Sequence, residues 1–308
     1  MDMHRRTLTA ALAATALPQL ARRAHAQAPV TLLARFPNGT FLENLVVGGD
    51  GSVLFTNYFA RTIERYVPAG AATRFSEVDG HPVSLAPLDG GRHALVTHGV
   101  PFTRGGAAMR GAAAVLLIGS DGATEGRIPL PGAVFPNGIL ALDPRTLLIA
   151  DSALGQVWVL DLGTGAVAPW LAHPLLAPAE GRPHPGVNGI KRAGEWLLLS
   201  NSAQRLLLRV SLTGGAGTLS QVAAMATGID DFAIADGGAV YAATHAEGIA
   251  LLRPGAAAAA LLPAPGVEGS TAVALTPDGR ALYALGTGGL FSGGKGEAVL
   301  ARIPLLVG

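Results

Sequence analysis

The sequence predicts an all-β protein, a six-bladed β-propeller of four-stranded antiparallel blades. Three observations lead to this fold class. Glycine and proline, the main turn formers, account for 42 and 21 of the 308 residues, which favours many short strands over long helices. Hydrophobic residues make up 49% of the chain and charged residues 14%, which excludes a disordered, highly charged chain. Finally, one strand–turn–strand pattern recurs six times.

Each repeat consists of an apolar run, a turn rich in Gly, Asp or Pro, and a second apolar run that ends in a polar residue. Such turns between apolar runs are strong hairpin signals. The six predicted hairpins cover residues 45–55, 82–96, 138–150, 187–199, 232–242 and 272–284. Third strands are predicted at 63–66, 157–160, 206–210 and 299–303.

The repeat length fits a propeller blade. The 282 residues after position 26 divide into six units of 47, which suits four strands per unit. One such unit cannot bury both faces of its sheet, whereas a closed ring can. We expect the strand at 30–36 to complete the last blade and to remove an exposed edge. Seven blades are the alternative, and the number of hairpins favours six.

The first 26 residues are predicted to be an export signal, followed by the propeller over residues 27–308. Arg5-Arg6 precede an apolar stretch over 10–17, and Ala24-His25-Ala26 resembles a cleavage site. The apolar stretch is too short to span a membrane. We therefore expect an exported protein, periplasmic or secreted; a disordered basic N-terminus is the alternative.

Several classes of function are disfavoured by composition. A net charge of +1 and 5% aromatic residues argue against a nucleic-acid surface. The absence of cysteine excludes disulfides, thiol nucleophiles and thiolate metal sites. A Gly-x-Ser-x-Gly nucleophile motif does not occur. A small molecule is the expected partner, and nothing in the sequence indicates an oligomeric state.

Polar residues recur at one phase of the repeat. The start of each inner strand and the end of the next strand lie at the same end of an antiparallel blade. The starts carry Glu43, Pro82, Asn137, Asn188, Asp230 and Ser270-Thr271. The ends carry Asn57, His98, Asp151-Ser152, Asn201, His245 and Thr287. We expect these residues to surround one mouth of the central channel.

Four of these side chains, Glu43, Asn137, Asn188 and Asp230, form a predicted metal site. Two carboxylates and two amide carbonyls suit a hard divalent cation, Ca²⁺ first and then Mg²⁺ or Mn²⁺, whereas zinc would favour His or Cys. Taken one at a time, each residue is compatible with an ordinary turn or a solvated acid. Their recurrence at one phase favours the shared site.

Around these residues the chain resembles the family of senescence marker protein (regucalcin), gluconolactonase and luciferin-regenerating enzyme. The resemblance lies in short motifs: Phe41-Leu42-Glu43-Asn44, Phe135-Pro136-Asn137-Gly138, Val187-Asn188-Gly189-Ile190 and Asp230-Asp231-Phe232-Ala233-Ile234. It implies a six-bladed propeller with one divalent metal in the channel, and it aligns Asp230 with the family's ligand and general base. Asp231 stands where the family usually has glycine, so Asp231 is the alternative ligand.

The resemblance implies a hydrolase that acts on a lactone or an ester. Phe135 stands where the vertebrate lactonases of the family have arginine, and with Phe59 and Phe232 it predicts an apolar rim that suits a less polar substrate. The predicted substrate-binding wall consists of His98, Asp151, Asn201, His245 and Phe135. The loops over 99–112 and 173–187 are predicted lids, with mobile surface loops as the alternative. There are two alternative functions. One is a non-enzymatic binding propeller with a structural metal, and the other is a metal-free interaction scaffold.

Overall fold

The computed structural model describes residues 29–181, 185–213, 218–246 and 248–305. Six sheets of four antiparallel strands form the molecule, which confirms the six-bladed propeller. The predicted export signal at 1–26 lies outside the described residues. Within the described ranges the longest helix has four residues, Gly106–Met109, so no helix there is long and apolar enough to cross a bilayer.

The first three blades follow one another along the chain, and each runs from the inner to the outer strand. Blade 1 contains β2 (Leu42–Val47), β3 (Val53–Asn57), β4 (Thr62–Tyr66) and β5 (Thr73–Glu77). Blade 2 contains β6 (His81–Pro87), β7 (His93–His98), β8 (Ala114–Ile118) and β9 (Thr124–Pro129). Blade 3 contains β10 (Pro136–Asp143), β11 (Thr146–Asp151), β12 (Gln156–Asp161) and β13 (Val167–Ala172).

The last three blades repeat this plan. Blade 4 contains β14 (Val187–Ala193), β15 (Trp196–Asn201), β16 (Leu206–Ser211) and β17 (Ser220–Ala224). Blade 5 contains β18 (Phe232–Ile234), β19 (Val240–Ala243), β20 (Ile249–Leu252) and β21 (Ala260–Leu262). Blade 6 contains β22 (Ser270–Leu275), β23 (Ala281–Gly286), β24 (Ala298–Pro304) and, as its outer strand, β1 (Thr31–Phe36). Short 3₁₀ turns lie at Asp89–Gly91, Phe102–Arg104, Pro174–Leu176 and Leu290–Ser292.

The N-terminal strand closes the ring as predicted. β1 pairs antiparallel with β24, so that Phe36 lies opposite Ala298. Closure covers the outer edge of β24, so the first and the last of the described strands share one sheet.

The hydrophobic core lies between the faces of adjacent blades. Val83 and Val115 of blade 2 pack in one buried cluster with Ile139 and Ile149 of blade 3. Because both faces of a blade pack on neighbouring blades, middle strands such as β3 and β23 are buried along their whole length. The polar exceptions therefore concentrate where strands begin and end.

The inner strands are irregular at the mouth of the channel, which we define as the end where these strands start. Strand pairing shifts register between Leu42 and Leu45, between Pro136 and Ile139, and between Val187 and Ile190. β6 and β22 have similar shifts near their starts. Such bulges redirect side chains away from the alternation of a regular strand. Glu43, Asn137 and Asn188 all lie within these bulges.

Candidate metal centre

Three carboxylates form the centre of the mouth, and we call Glu43, Asp230 and Asp231 the acid cluster. Glu43 lies in the bulge of β2, and the two aspartates directly precede β18. All three residues are buried, with exposed fractions of 9%, 2% and 4%. Backbone hydrogen bonds fix the aspartates, because Asp230 N donates to Ala243 O at 2.9 Å and Asp231 N donates to Thr271 O at 3.1 Å.

Burial and mutual repulsion raise the pKa values of two carboxyl groups in the acid cluster. Burial raises the pKa of Glu43 to about 8, and the charge of Asp231 adds to this shift. Burial also raises the pKa of Asp230 well above its ordinary value, and the charges of Glu43 and Asp231 add to it. The amide of Asn188 and the charge of Lys191 act in the opposite direction. Asp230 therefore lies within interaction distance of both Glu43 and Asn188. That these residues bind a metal stays a prediction.

Asn137 lies in β10 at the position equivalent to that of Asn188 in the inner strand β14 of the adjacent blade. It is 3% exposed, as is Asn188. The two strands approach closely here, because a β-carbon on Gly138 would overlap the carbonyl oxygen of Asn188. Asn188 Nδ2 also donates to Ser202 Oγ at 3.1 Å, which orients its amide. The four predicted ligands therefore lie at the starts of the inner strands of blades 1, 3, 4 and 5, at the same mouth.

The donors suit a hard cation. Glu43 Oε2 has no hydrogen-bond partner among the described residues, although it is buried. The nearest basic group to Asp230 Oδ2 is His245 Nε2, at 3.1 Å. A buried carboxylate oxygen without a donor is costly unless a cation balances it. Within the described residues no three His, Cys, Asp or Glu side chains form a metal-site arrangement. The predicted set contains only two such side chains, together with two amides, and all four can supply oxygen donors.

Of the predicted wall residues, His245 lies directly beside the acid cluster. Its backbone has φ of +57°, a left-handed conformation that is uncommon for a residue other than glycine. Its backbone N–H donates to Ser270 O at 2.9 Å, which holds this conformation. The ring is thereby placed next to Asp230.

His98, Asp151 and Asn201 are buried and bind other parts of the protein. His98 contacts Pro136 O at 2.8 Å and the Tyr58 hydroxyl at 3.0 Å. Asp151 accepts hydrogen bonds from the backbone N–H groups of 134 and 135 and from the Trp158 indole. Asn201 Nδ2 donates to the carbonyl oxygens of residues 175 and 177, within the loop 173–187. These side chains hold the wall in shape, and substrate contact by them stays a prediction.

The apolar rim differs from the sequence prediction in its members. An aromatic cluster lies at the mouth and comprises Phe41, Tyr58, Phe59, Phe102, Phe135 and Phe291. Phe59 and Phe291 are 40% and 57% exposed, so this cluster faces solvent. Phe232, by contrast, is fully buried with Leu207 and Met225 between blades 4 and 5, so its predicted place on the rim was wrong.

Comparison with solved structures shows the same architecture. A gluconolactonase from Xanthomonas campestris superposes with a TM-score of 0.68 at 12% identity, over 90% of this chain and 89% of that one. Luciferin-regenerating enzyme superposes with a TM-score of 0.67 at 15% identity, over 90% of this chain and 95% of that one. Regucalcin from Agrobacterium tumefaciens, described as a calcium-binding protein, superposes with a TM-score of 0.63 at 14% identity, over 88% of this chain and 93% of that one. The chain shares their fold.

At these identities the likeness establishes the fold, and the chemistry has to be argued from the site. No protein-family model matches the sequence, and neither does any curated protein.

Sequence analysis missed two polar residues that contact the acid cluster, Asn44 and Lys191. Asn44 Nδ2 donates to Asp231 Oδ2 at 2.9 Å, and Lys191 Nζ donates to the same oxygen at 2.8 Å. A signal was present for Lys191, because the residues three positions after the other predicted ligands are apolar. These residues are Val46, Leu140 and Ala233.

Proposed function

We propose that this protein is a hydrolase that cleaves a lactone or ester of low polarity at the acid cluster, with a divalent cation held by Glu43, Asn137, Asn188 and Asp230. The observation that carries the proposal is the unpartnered Glu43 oxygen beside a second buried carboxylate, Asp230. Ca²⁺ is the first choice and Mg²⁺ or Mn²⁺ the next, because all donors are hard oxygens. A bound cation would stabilise negative charge on a carbonyl oxygen and lower the pKa of water.

Asp230 is the proposed general base. Its burial and its acidic neighbours make its carboxylate a stronger base than that of an exposed aspartate. As a water oxygen bonds to the substrate carbonyl carbon, Asp230 accepts one proton from that water. The carbon–oxygen bond to the leaving group then breaks, and Asp230 returns the proton to the departing oxygen. A lactone gives a hydroxy acid, and Asp230 ends as it began.

The aromatic cluster supports an apolar substrate. Phe41 is two residues from Glu43 and contacts Phe291 with ring centroids 4.9 Å apart. Phe102 lies on the predicted lid 99–112 and contacts Phe59 at 5.7 Å and Phe291 at 6.0 Å. Exposed rings beside a polar centre are typical of sites that bind the apolar part of a small molecule. We therefore assign the acyl or aryl part of the substrate to this cluster.

A non-catalytic binding propeller is the second candidate. It is favoured by the low exposure of the proposed ligands, 9% for Glu43 and at most 3% for the others, which suits a structural cation. Such a protein would gain thermal stability from the cation or from a ligand without turnover. The export signal predicted at residues 1–26 would place either protein outside the cytoplasm.

The experiment is a hydrolysis screen of aliphatic and aryl lactones and esters against sugar lactones, with Ca²⁺ or with chelator. We expect turnover of the apolar substrates that chelator abolishes and that Asp230→Asn lowers at least about 100-fold. Asp236→Asn is the matched control, because Asp236 is exposed at the opposite end of blade 5. Full turnover by metal-free Asp230→Asn protein would exclude the mechanism. Cation-dependent melting without turnover of any substrate would favour the binding propeller.

A further inference from the structure

Beyond the acid cluster the channel continues between the inner strands. Among the described residues that line this part, Lys191 is the one charged residue. This lower channel has a volume of about 410 Å³ and is lined by inner-strand residues of all six blades, almost all apolar. Lys191 belongs to β14, and its side chain is 32% exposed. Its Nζ lies 2.7 Å from Oδ1 and 2.8 Å from Oδ2 of Asp231, and the contact with Oδ2 has hydrogen-bond geometry.

Asp231 is held by protein groups on several blades. Asn44 of blade 1 donates from its side-chain Nδ2 to Asp231 Oδ2, and Asn44 Oδ1 accepts from the backbone N–H of Leu85 in blade 2 at 3.2 Å. Gly189 of blade 4 leaves room for the carboxylate, because a β-carbon there would lie 2.7 Å from Asp231 Oδ1. Asp231 therefore has a cation and an amide as partners, whereas Glu43 Oε2 has no partner among the described residues.

We propose that Lys191 determines the charge selectivity of the metal centre by keeping Asp231 out of the ligand set. This inference rests on the proposed metal site. The acid cluster would carry three negative charges if fully ionised, and Lys191 offsets one of them. Two negative charges remain, on Glu43 and Asp230, and they match a divalent cation. The same arrangement assigns the ligand role to Asp230 rather than to Asp231.

The apolar surroundings make this pairing effective. Opposite charges less than 3 Å apart attract more strongly beside a low-dielectric channel than in water. Removal of the ammonium group would leave Asp231 as a third carboxylate at the centre, with the Asn44 amide but no cation as its partner. A third carboxylate favours a trivalent ion over a divalent one, because the gain in Coulomb energy scales with the charge of the ion.

The test is a titration of the metal-free protein with Ca²⁺ and with Tb³⁺, by calorimetry and by sensitised Tb³⁺ luminescence. Lys191→Met keeps the length of the side chain and removes its charge. We expect this variant to raise the ratio of Tb³⁺ to Ca²⁺ affinity at least about tenfold. The double variant Lys191→Met/Asp231→Asn should return the ratio to the wild-type value. Arg192→Met is the matched control, since it removes the same charge from the adjacent, exposed residue and should leave the ratio unchanged.

Asp231→Asn alone provides a second route if Lys191→Met fails to fold. It leaves Lys191 unpaired beside the centre, so Ca²⁺ affinity should fall at least about tenfold. This inference alone is overturned if the wild type binds Ca²⁺ and the ratio of Tb³⁺ to Ca²⁺ affinity is unchanged in Lys191→Met. It is also overturned if the wild type binds Ca²⁺ and Asp231→Asn binds it with the same affinity. Loss of Ca²⁺ binding in the double variant would make Asp231 a ligand and also overturn it. Wild-type protein that binds neither ion overturns the proposed metal site as well.

Discussion

His98 Nε2 lies 2.8 Å from the carbonyl oxygen of Pro136, the residue immediately before Asn137. A carbonyl only accepts, so Nε2 carries the hydrogen and the neutral ring accepts at Nδ1 from the Tyr58 hydroxyl, 3.0 Å away. The Tyr58 oxygen in turn accepts from the backbone N–H of Phe102 at 2.9 Å. This chain connects the loop that carries Phe102 with the strand that carries Asn137.

Tyr58→Phe should destabilise this connection. The change leaves His98 Nδ1 and the Phe102 N–H without their partner, so we expect the free energy of unfolding to fall by about 1–3 kcal/mol. We also expect faster proteolysis within the loop 99–112, because one of its anchors is lost. Tyr283→Phe is the control: its hydroxyl donates to Gly51 O at 3.2 Å, away from this loop. Identical loop cleavage in both variants would contradict the proposed connection.

The stability of the protein should depend on pH through His98. Burial lowers the pKa of His98 from 6.5 to about 4. Between these pH values the unfolded state binds a proton that the native state does not, so stability falls as the pH falls from about 6.5 to 4. The measurement is urea unfolding across this range for wild type and His98→Gln, which keeps a donor for Pro136 O. The difference in the free energy of unfolding between wild type and His98→Gln should vary with pH. A difference that stays constant would show that His98 does not cause the pH dependence.

Most of the fold was predictable from the sequence because each hairpin is encoded locally. Apolar runs around Asp-Gly or Gly-Gly turns determined the pairing of β2 with β3 and of β22 with β23 without knowledge of distant contacts. Among the outer strands, only β1 was predicted individually, as the strand at 30–36. β9 and β17, for example, are largely exposed, so they lack the apolar alternation that marks a buried strand.

The site was predictable only in part, because hydrogen bonds across the channel leave no trace in local spacing. The repeat phase singled out Glu43, Asn188 and Asp230, and the structure places Asp230 within interaction distance of the other two. The pairing of Lys191 with Asp231 joins residues 40 positions apart, and that of Asn44 with Asp231 joins residues 187 apart. Phe291 was missed for a similar reason, since it lies in a glycine-rich loop without strand periodicity.

Metal-free protein should lose stability as the pH rises, through Glu43. The pKa of Glu43 is raised from 4.5 to about 8, so between these values the native state keeps a proton that the unfolded state has lost. Raising the pH therefore favours unfolding, by an amount on the order of a few kcal/mol over the window. We expect the melting temperature in chelator to decline from pH 5 to pH 8.

Two comparisons isolate the Glu43 contribution, since His98 acts in the opposite direction below pH 6.5. Glu43→Gln should flatten the decline in chelator, because it removes the titrating group. Excess Ca²⁺ should also flatten it for the wild type, because a bound cation favours the ionised carboxylate. A decline of equal slope in Glu43→Gln would show that another group is responsible.

Two glycines next to the proposed ligands should be intolerant of alanine. A β-carbon on Gly138 would overlap Asn188 O, and one on Gly189 would lie 2.7 Å from Asp231 Oδ1 and 3.1 Å from Asp230 O. Both clashes force adjacent inner strands apart, so we expect Gly138→Ala and Gly189→Ala each to cost about 1–3 kcal/mol of stability and to weaken Ca²⁺ binding. Gly237→Ala is the control, because a β-carbon there meets nothing within 4 Å. If all three variants bind Ca²⁺ and melt like the wild type, the strands at the mouth are not closely packed and the four ligands need not converge.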